Sequence, residues 1–271
     1  MAQPEEHEIE ALLATALELA AAARVAIMPH FRSPALNAEN KLSQGFDPVT
    51  LADRAAEEAM RAILARRRPD DAVVGEEFGD TAGASGFTWL LDPIDGTRAF
   101  LSGAPTWGVL IAVANGDGPF LGVIDQPFIQ ERFVGRPGAA WTVGPSGRHS
   151  LRTRPPRPLS EAILFSTFPE VGSADERKGF EALSQKVRLT RYGMDCYAYA
   201  LVAAGQIDLV VEAGLYPFDV AAPTAVIEAA GGIVTDWRGR SAQAGGRVIA
   251  AANAEIHAAA IEVLARVPEA G

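Results

Sequence analysis

The stretch Trp89-Leu-Leu-Asp-Pro-Ile-Asp-Gly-Thr-Arg-Ala-Phe100 changes character within a few residues, and the fold is read from that change. Residues 87–91 are almost wholly apolar and predict a buried strand. Pro93 steers Asp92 away from the helical region, so the Asp92 carboxylate sits at the extended end of that strand. Gly96 then permits a tight backbone approach, and residues 97–100 start a helix. Asp92 and Asp95 therefore flank a strand-to-helix turn whose free N–H groups face outward. Paired carboxylates bind hard cations and exposed N–H groups bind phosphate oxygens, so the turn carries the donors for both.

Around that turn lie 271 residues, enough for one large core or two closely packed halves. The composition, 48% hydrophobic and 21% charged, is that of a soluble enzyme. A formal charge of −10 argues against nucleic acid or an anionic membrane as a partner. An acidic chain that handles an anion needs local positive charge, which metal ions would supply. The single cysteine, Cys196, excludes an internal disulfide framework and fits a reducing cytosol. The acidic start of the chain lacks the basic region of a signal peptide, and Glu18 interrupts the alanine-rich segment 11–23. A cytoplasmic protein without a membrane span is expected.

Upstream of the turn, Ile9, Leu12, Leu13, Ala16, Leu19 and Ala23 recur at helical spacing and predict a packing helix that ends before Pro29. Residues 40–53 are polar and turn-rich, with Lys41 read as a solvated loop lysine, and open a second helix through Met60, Ile63 and Leu64. Asp53 falls in its first turn, where the helix dipole favours a carboxylate whether or not it does chemistry. Arg66, Arg67 and Arg68 close the helix, as cations suit a C-terminus, with phosphate binding as the other reading. Residues 71–78 form a short strand ending in Gly75, Glu76 and Glu77, acids that become a metal site only if a second strand end brings acids beside them. Residues 80–86 read as a surface loop.

Downstream, apolar runs at 107–114 and 121–125 flank Asn115-Gly-Asp-Gly-Pro119, a strong hairpin signal. Strands at 131–134 and 140–143 extend a meander in a mixed sheet that supports Asp92. Residues 144–160, rich in Pro, Arg, Ser and Gly, place a boundary between halves at 1–150 and 151–271. The second half alternates strand and helix from residue 162 to 267, which predicts an α/β layer with a substantially parallel sheet. Asp219 follows Pro217 at a helix start, where it can cap, bind metal or do both, and Asp195 before another helix is equally open.

Taken together, Asp92-Pro-Ile-Asp-Gly-Thr97 with Phe100, Glu76-Glu77 after Gly75, and Asp219 followed by Ala221-Ala222 resemble the inositol monophosphatase superfamily over nearly the whole chain. The resemblance implies a mixed α/β (α+β) fold, layered as an α-β-α-β-α sandwich. It implies that Glu76, Asp92 and the Ile94 carbonyl hold one Mg2+, that Asp92, Asp95 and Asp219 hold a second, and that an active site takes two or three such ions. It further implies catalytic roles for Thr97, Asp53 and Glu76, with Thr97 paired to Asp53 to orient the attacking water, and phosphate contacts from the Gly96 and Thr97 amides. Residue chemistry agrees, because four carboxylates in one pocket repel by several kcal/mol at low effective dielectric unless divalent cations neutralise them. An all-oxygen donor set without His or Cys favours magnesium over zinc.

The strings at 45–54, 75–78, 98–108 and 191–199 are more similar to the histidinol-phosphate phosphatase branch than to the inositol branch. That substrate carries a cationic amine, so its pocket needs acids beyond the metal ligands. Asp195 and Glu212 meet the need, with Arg191 and Gly193 as further substrate contacts in the same segment. Phe218 stands where the family usually has Trp, keeping the bulk and losing the indole N–H. The expectation is a magnesium-dependent phosphomonoesterase for L-histidinol phosphate, a homodimer by resemblance. An inositol, sugar-alcohol or 3′-nucleotide monophosphatase is the alternative, and an inactive metal- and anion-binding regulatory protein is the alternative of another class.

Overall fold

A computed structural model describes residues 4–34, 38–40 and 48–268; Lys41 lies outside them. Helix α1 (Glu6–Ile27) buries the predicted stripe, including Ile9, Leu12, Ala16, Leu19 and Ala23. Two short strands, β1 (Ala38–Asn40) and β2 (Pro48–Thr50), pair antiparallel. Helix α2 (Leu51–Arg67) opens on a capping box in which Thr50 N donates to Asp53 Oδ2 (2.8 Å) while Ala52 N donates to Thr50 Oγ1 (3.1 Å).

The chain then builds β3 (Ala72–Gly75), β4 (Gly79–Thr81), β5 (Thr88–Asp95), helix α3 (Thr97–Ser102) and β6 (Gly108–Asn115). Strands β7 (Gly118–Gln126), β8 (Glu131–Arg136), β9 (Ala139–Gly144) and β10 (Gly147–Ser150) follow, completing an eight-stranded sheet in the order β10-β9-β8-β7-β6-β5-β3-β4. Only β3 and β5 run parallel. After β11 (Ile163–Ser166) come α4 (Ala174–Ser184), β12 (Leu189–Tyr192), α5 (Asp195–Ala203), β13 (Leu209–Leu215), α6 (Pro217–Ala229), β14 (Ile233–Thr235), β15 (Gly246–Ala251) and α7 (Ala254–Leu264). These strands form a second sheet in the order β12-β11-β13-β15-β14.

Strand alternation divides the interior into three cores. Along β6, Val109, Ile111 and Val113 point into a core shared with α1 and α2, and Leu110 and Ala112 point into the opposite one with α5 and α6. Val210 of β13 and Ala250 of β15 reach that same central core from the second sheet, while Leu209, Val211, Ile249 and Ala251 face a third core with α4 and α7. The result is the expected α-β-α-β-α stack. Among the described residues, no helix is long and apolar enough to cross a membrane.

Four local expectations are corrected. Residues 80–81, read as loop, form edge strand β4 with Gly79, and 147–150, read as linker, form edge strand β10; both are wholly exposed, so they carry no apolar alternation. Strand β5, expected to end at Asp92, runs on through Asp95. The second sheet is mixed: β12, β11 and β13 are parallel, but β15 follows β14 without an intervening helix and so returns antiparallel between β14 and β13.

Candidate active site

The site begins with an irregularity in β5. Asp92 pairs with Leu110 and Asp95 with Gly108, so β5 uses one residue more than β6 between these points. Residues three apart in a regular strand face opposite ways; the bulge turns Asp92 and Asp95 to the same side. Ile94 N donates to Asp92 Oδ1 (3.0 Å) and fixes that carboxylate. Gly96 caps α3 at φ +84°, and a Cβ on it would stand 2.7 Å from Asp195 Cγ, so both its torsion and its neighbour require glycine.

From the other sheet, β13 delivers the start of α6, with Pro217 in its first turn. Asp219 Oδ2 accepts from Tyr216 N (2.7 Å), so Asp219 caps the helix. It also joins Asp92 and Asp95: one carboxylate oxygen from each of the three lies within 4.8 Å of the others. Glu76, just past β3, shares a hydrogen bond with Asp92. Acids remote in sequence therefore converge around buried Asp92, the other three partly exposed at the cavity, with oxygen the only donor element. This set fits a hard divalent cation, and the cluster is one that can hold a metal ion.

Electrostatics shows how strongly the fold concentrates this charge. Burial, then the neighbouring Glu76, Asp95 and Asp219, holds the Asp92 carboxyl well above the usual carboxylate range. Burial, then Asp195 and Asp219, does the same to Asp95, against the opposing hydrogen bond that Cys196 N donates to Asp95 Oδ2 (2.6 Å). Asp53 rises from 3.8 to about 6 chiefly through burial, with its Thr50 bonds pulling the other way and Glu76 adding to the rise. Asp195 likewise reaches about 6 through burial, against a bond from Thr106 Oγ1 (2.7 Å) and with Glu212 raising it.

A prediction follows from the sign of these shifts. Carboxyls whose folded pKa is raised bind more protons folded than unfolded, so they stabilise less as pH rises from about 4 through about 6. Divalent cations require the ionised forms and release those protons. We expect the melting midpoint of metal-free protein to fall by several degrees across this window, and the midpoint rise caused by millimolar Mg2+ to be larger at neutral pH than near pH 5. Calorimetry checks both; a Mg2+ effect that grows as pH falls would contradict the assignment.

The cluster opens into a cavity of about 280 Å³ between the two sheets. Glu76, Asp92, Ile94, Asp95, Gly96, Thr97, Asp195, Glu212 and Asp219 all line it. Glu212 is buried and already engaged: Oε1 accepts from Thr167 N (2.8 Å) and Thr167 Oγ1 (2.5 Å), and Oε2 from Tyr199 OH (2.7 Å). Phe218 also lines the cavity, stacked on Tyr216 with centroids 5.4 Å apart.

Other expected residues are placed differently. Arg191 is exposed on β12, the outer strand of its sheet, and Gly193, just beyond, binds back to Ser166 O and Thr167 O; neither lines the cavity. Thr97 and Asp53 are not hydrogen-bonded to each other. The Thr97 hydroxyl donates to Ile94 O three residues back (3.1 Å), and Asp53 Oδ2 is taken up by the Thr50 cap, leaving Oδ1 buried without a partner. Arg68, read as a solvated helix end, is instead tied to Glu8 (2.6 Å) and Asp71 (2.7 Å).

Sequence reasoning missed Thr106, which holds Asp195 from 89 residues away, and Glu57, which holds the Glu76 loop from α2. Thr106 has no local signal. Glu57 had one: it lies four residues after Asp53 on the same helix face.

Comparison with known proteins places these features. A sequence model described as the inositol monophosphatase family matches residues 8–269. The bifunctional phosphatase IMPL2 of Arabidopsis thaliana is 42% identical over 80% of this chain, which spans only 65% of that longer protein. The histidinol-phosphatase of Mycobacterium tuberculosis is 37% identical over 86% of this chain and 91% of its own length. Among solved structures, an inositol monophosphatase from Zymomonas mobilis superposes with a TM-score of 0.83 at 38% identity, covering 97% of this chain and all of that one.

Proposed function

This chain belongs to the inositol monophosphatase family, and we propose that within it the chain is a magnesium-dependent phosphomonoesterase acting on L-histidinol phosphate. One observation carries the reading: beyond the acids of the metal cluster, the cavity holds Asp195 and Glu212. A neutral polyol meets these carboxylates only with hydroxyl hydrogen bonds, whereas a substrate with an ammonium and an imidazole gains charge pairing as well. The likeness to the M. tuberculosis histidinol-phosphatase supports the same substrate.

Glu76, Asp92, the Ile94 carbonyl, Asp95 and Asp219 would hold the ions. Bound magnesium would offset charge on the phosphoryl oxygens and acidify water. The Gly96 and Thr97 amides, at the turn into α3 on the cavity wall, would donate to the phosphate. Asp53 does not line the cavity, but its Oδ1 is buried and unpartnered and its charge is felt with that of Glu76; as a carboxyl raised to about 6 it is ionised at neutral pH and would act as the proton acceptor behind Glu76. Thr97 would turn its hydroxyl from Ile94 O to orient the attacking water. Asp195 and Glu212 would receive the amine and imidazole. Residues on both sides of position 150 line the cavity, and we propose that the halves 1–150 and 151–271 work as one site. We propose a cytoplasmic homodimer; Cys196 is buried and unpaired, as a reducing compartment permits.

Phosphate release over a small ester panel, with and without Mg2+, tests the reading. Histidinol phosphate should exceed inositol 1-phosphate in kcat/KM by about ten- to a hundred-fold, the worth of one charged hydrogen bond. A preference for the inositol ester would reassign the substrate. Silence on every ester would favour the inactive binding protein.

A further inference from the structure

Glu57 lies outside the cavity lining, yet it is fully buried in α2, one turn after Asp53. Its oxygens face the loop that follows β3: Oε2 accepts from Glu77 N (2.7 Å) and Oε1 from Phe78 N (3.2 Å). Arg61, the next turn on, donates Nε to Glu57 Oε1 (2.7 Å), and its other nitrogens reach Gly79 O and Thr81 Oγ1 (3.0 Å). Gly75 fits this clamp, since a Cβ there would run into the Glu57 and Arg61 head groups. On the opposite side, Glu76 N donates to Leu91 O (3.2 Å). Glu76 is thus pinned between the main chain of β5 and a charged pair on α2, with its side chain directed at Asp92.

We propose that Glu57 is a positioning residue for the metal site. It sets the Glu76 loop at the height where Glu76 meets Asp92, and because Asp53 rides on the same helix it fixes Asp53 against Glu76 as well. Charge-assisted bonds to main-chain N–H groups are about twice as strong as neutral ones, and partners behind a metal ligand typically change metal affinity ten- to a hundred-fold when removed. The inference rests on the metal-dependent reading above.

The test is equilibrium Mn2+ binding to the full chain without substrate, read from the paramagnetic resonance of free Mn2+, beside the melting midpoint. Wild type, Glu57→Gln and Glu57→Ala are compared, with Arg67→Ala as a surface control. Glu57→Ala should weaken Mn2+ binding by about ten- to a hundred-fold, Glu57→Gln by less because its amide oxygen keeps one acceptor, and Arg67→Ala not at all. The Mg2+ needed for half-maximal phosphate release should move in the same order, with kcat at saturating Mg2+ held within a few-fold. Where the alanine variant does not fold, Glu57→Gln carries the comparison. Unchanged Mn2+ affinity in the Glu57 variants overturns the proposal even if their midpoints fall. A wild type that binds no Mn2+ overturns the metal-dependent reading, and this clamp with it.

Discussion

Asp92→Asn should abolish turnover, lowering kcat by at least about 10³-fold, or about 4 kcal/mol of barrier, while the fold survives. Asp92 is the acid on which the others centre: it is hydrogen-bonded to Glu76, lies within 4.8 Å of Asp95 and Asp219, and is 2% exposed. Removing its charge weakens the hold on both proposed ions at once. Asparagine keeps the size and an acceptor oxygen for Ile94 N, so the loss is of charge rather than of shape. The same change relieves repulsion among buried carboxylates, so the metal-free midpoint should hold or rise as the Mg2+-induced increment disappears. Appreciable residual turnover in this variant would reject a shared metal ligand at this position.

The second large effect concerns substrate choice. Asp195→Asn should raise KM for histidinol phosphate by about ten- to a hundred-fold and alter KM for a neutral phosphate ester far less. Thr106 holds one Asp195 oxygen at 2.7 Å, so the carboxylate is preset rather than recruited by the ligand. Asp195 also packs against Gly96 and raises Asp95, so some effect common to all esters is expected. The ratio between the two substrates isolates the charge. Equal effects on both would remove Asp195 from substrate recognition and leave it a structural neighbour of the turn.

How much of this was legible depended on whether a signal is local. The β5 to α3 turn was readable because Pro93 and Gly96 restrict their own backbone, and the layers because apolar residues repeat at strand and helix periods. The bulge between Asp92 and Asp95 was not, since regular spacing puts those residues on opposite faces. Asp219 left cap and cluster member open; the structure has it cap α6 and join the acids. Thr106 and Glu57 gain their positions through contacts 89 and 20 residues away in sequence; nothing beside Thr106 announces it, and the only local sign of Glu57 is its place one turn after Asp53. Arg191 and Gly193 were assigned through their nearness to Asp195, but the chain turns at Gly193 before α5 begins, leaving the edge strand away from the cavity. Strands β4 and β10 escaped notice because short, wholly exposed polar strands leave no apolar pattern to read.

The central claim is that acids from separate strands and a helix meet to hold divalent cations beside the phosphate turn. Anomalous diffraction from crystals equilibrated with Mn2+ tests it most directly. Peaks should stand among Asp92, Asp95 and Asp219, with Glu76 at their edge. Crystals of an enzyme activated by Mn2+ that show no peak there, or only a peak elsewhere on the molecule, would contradict it.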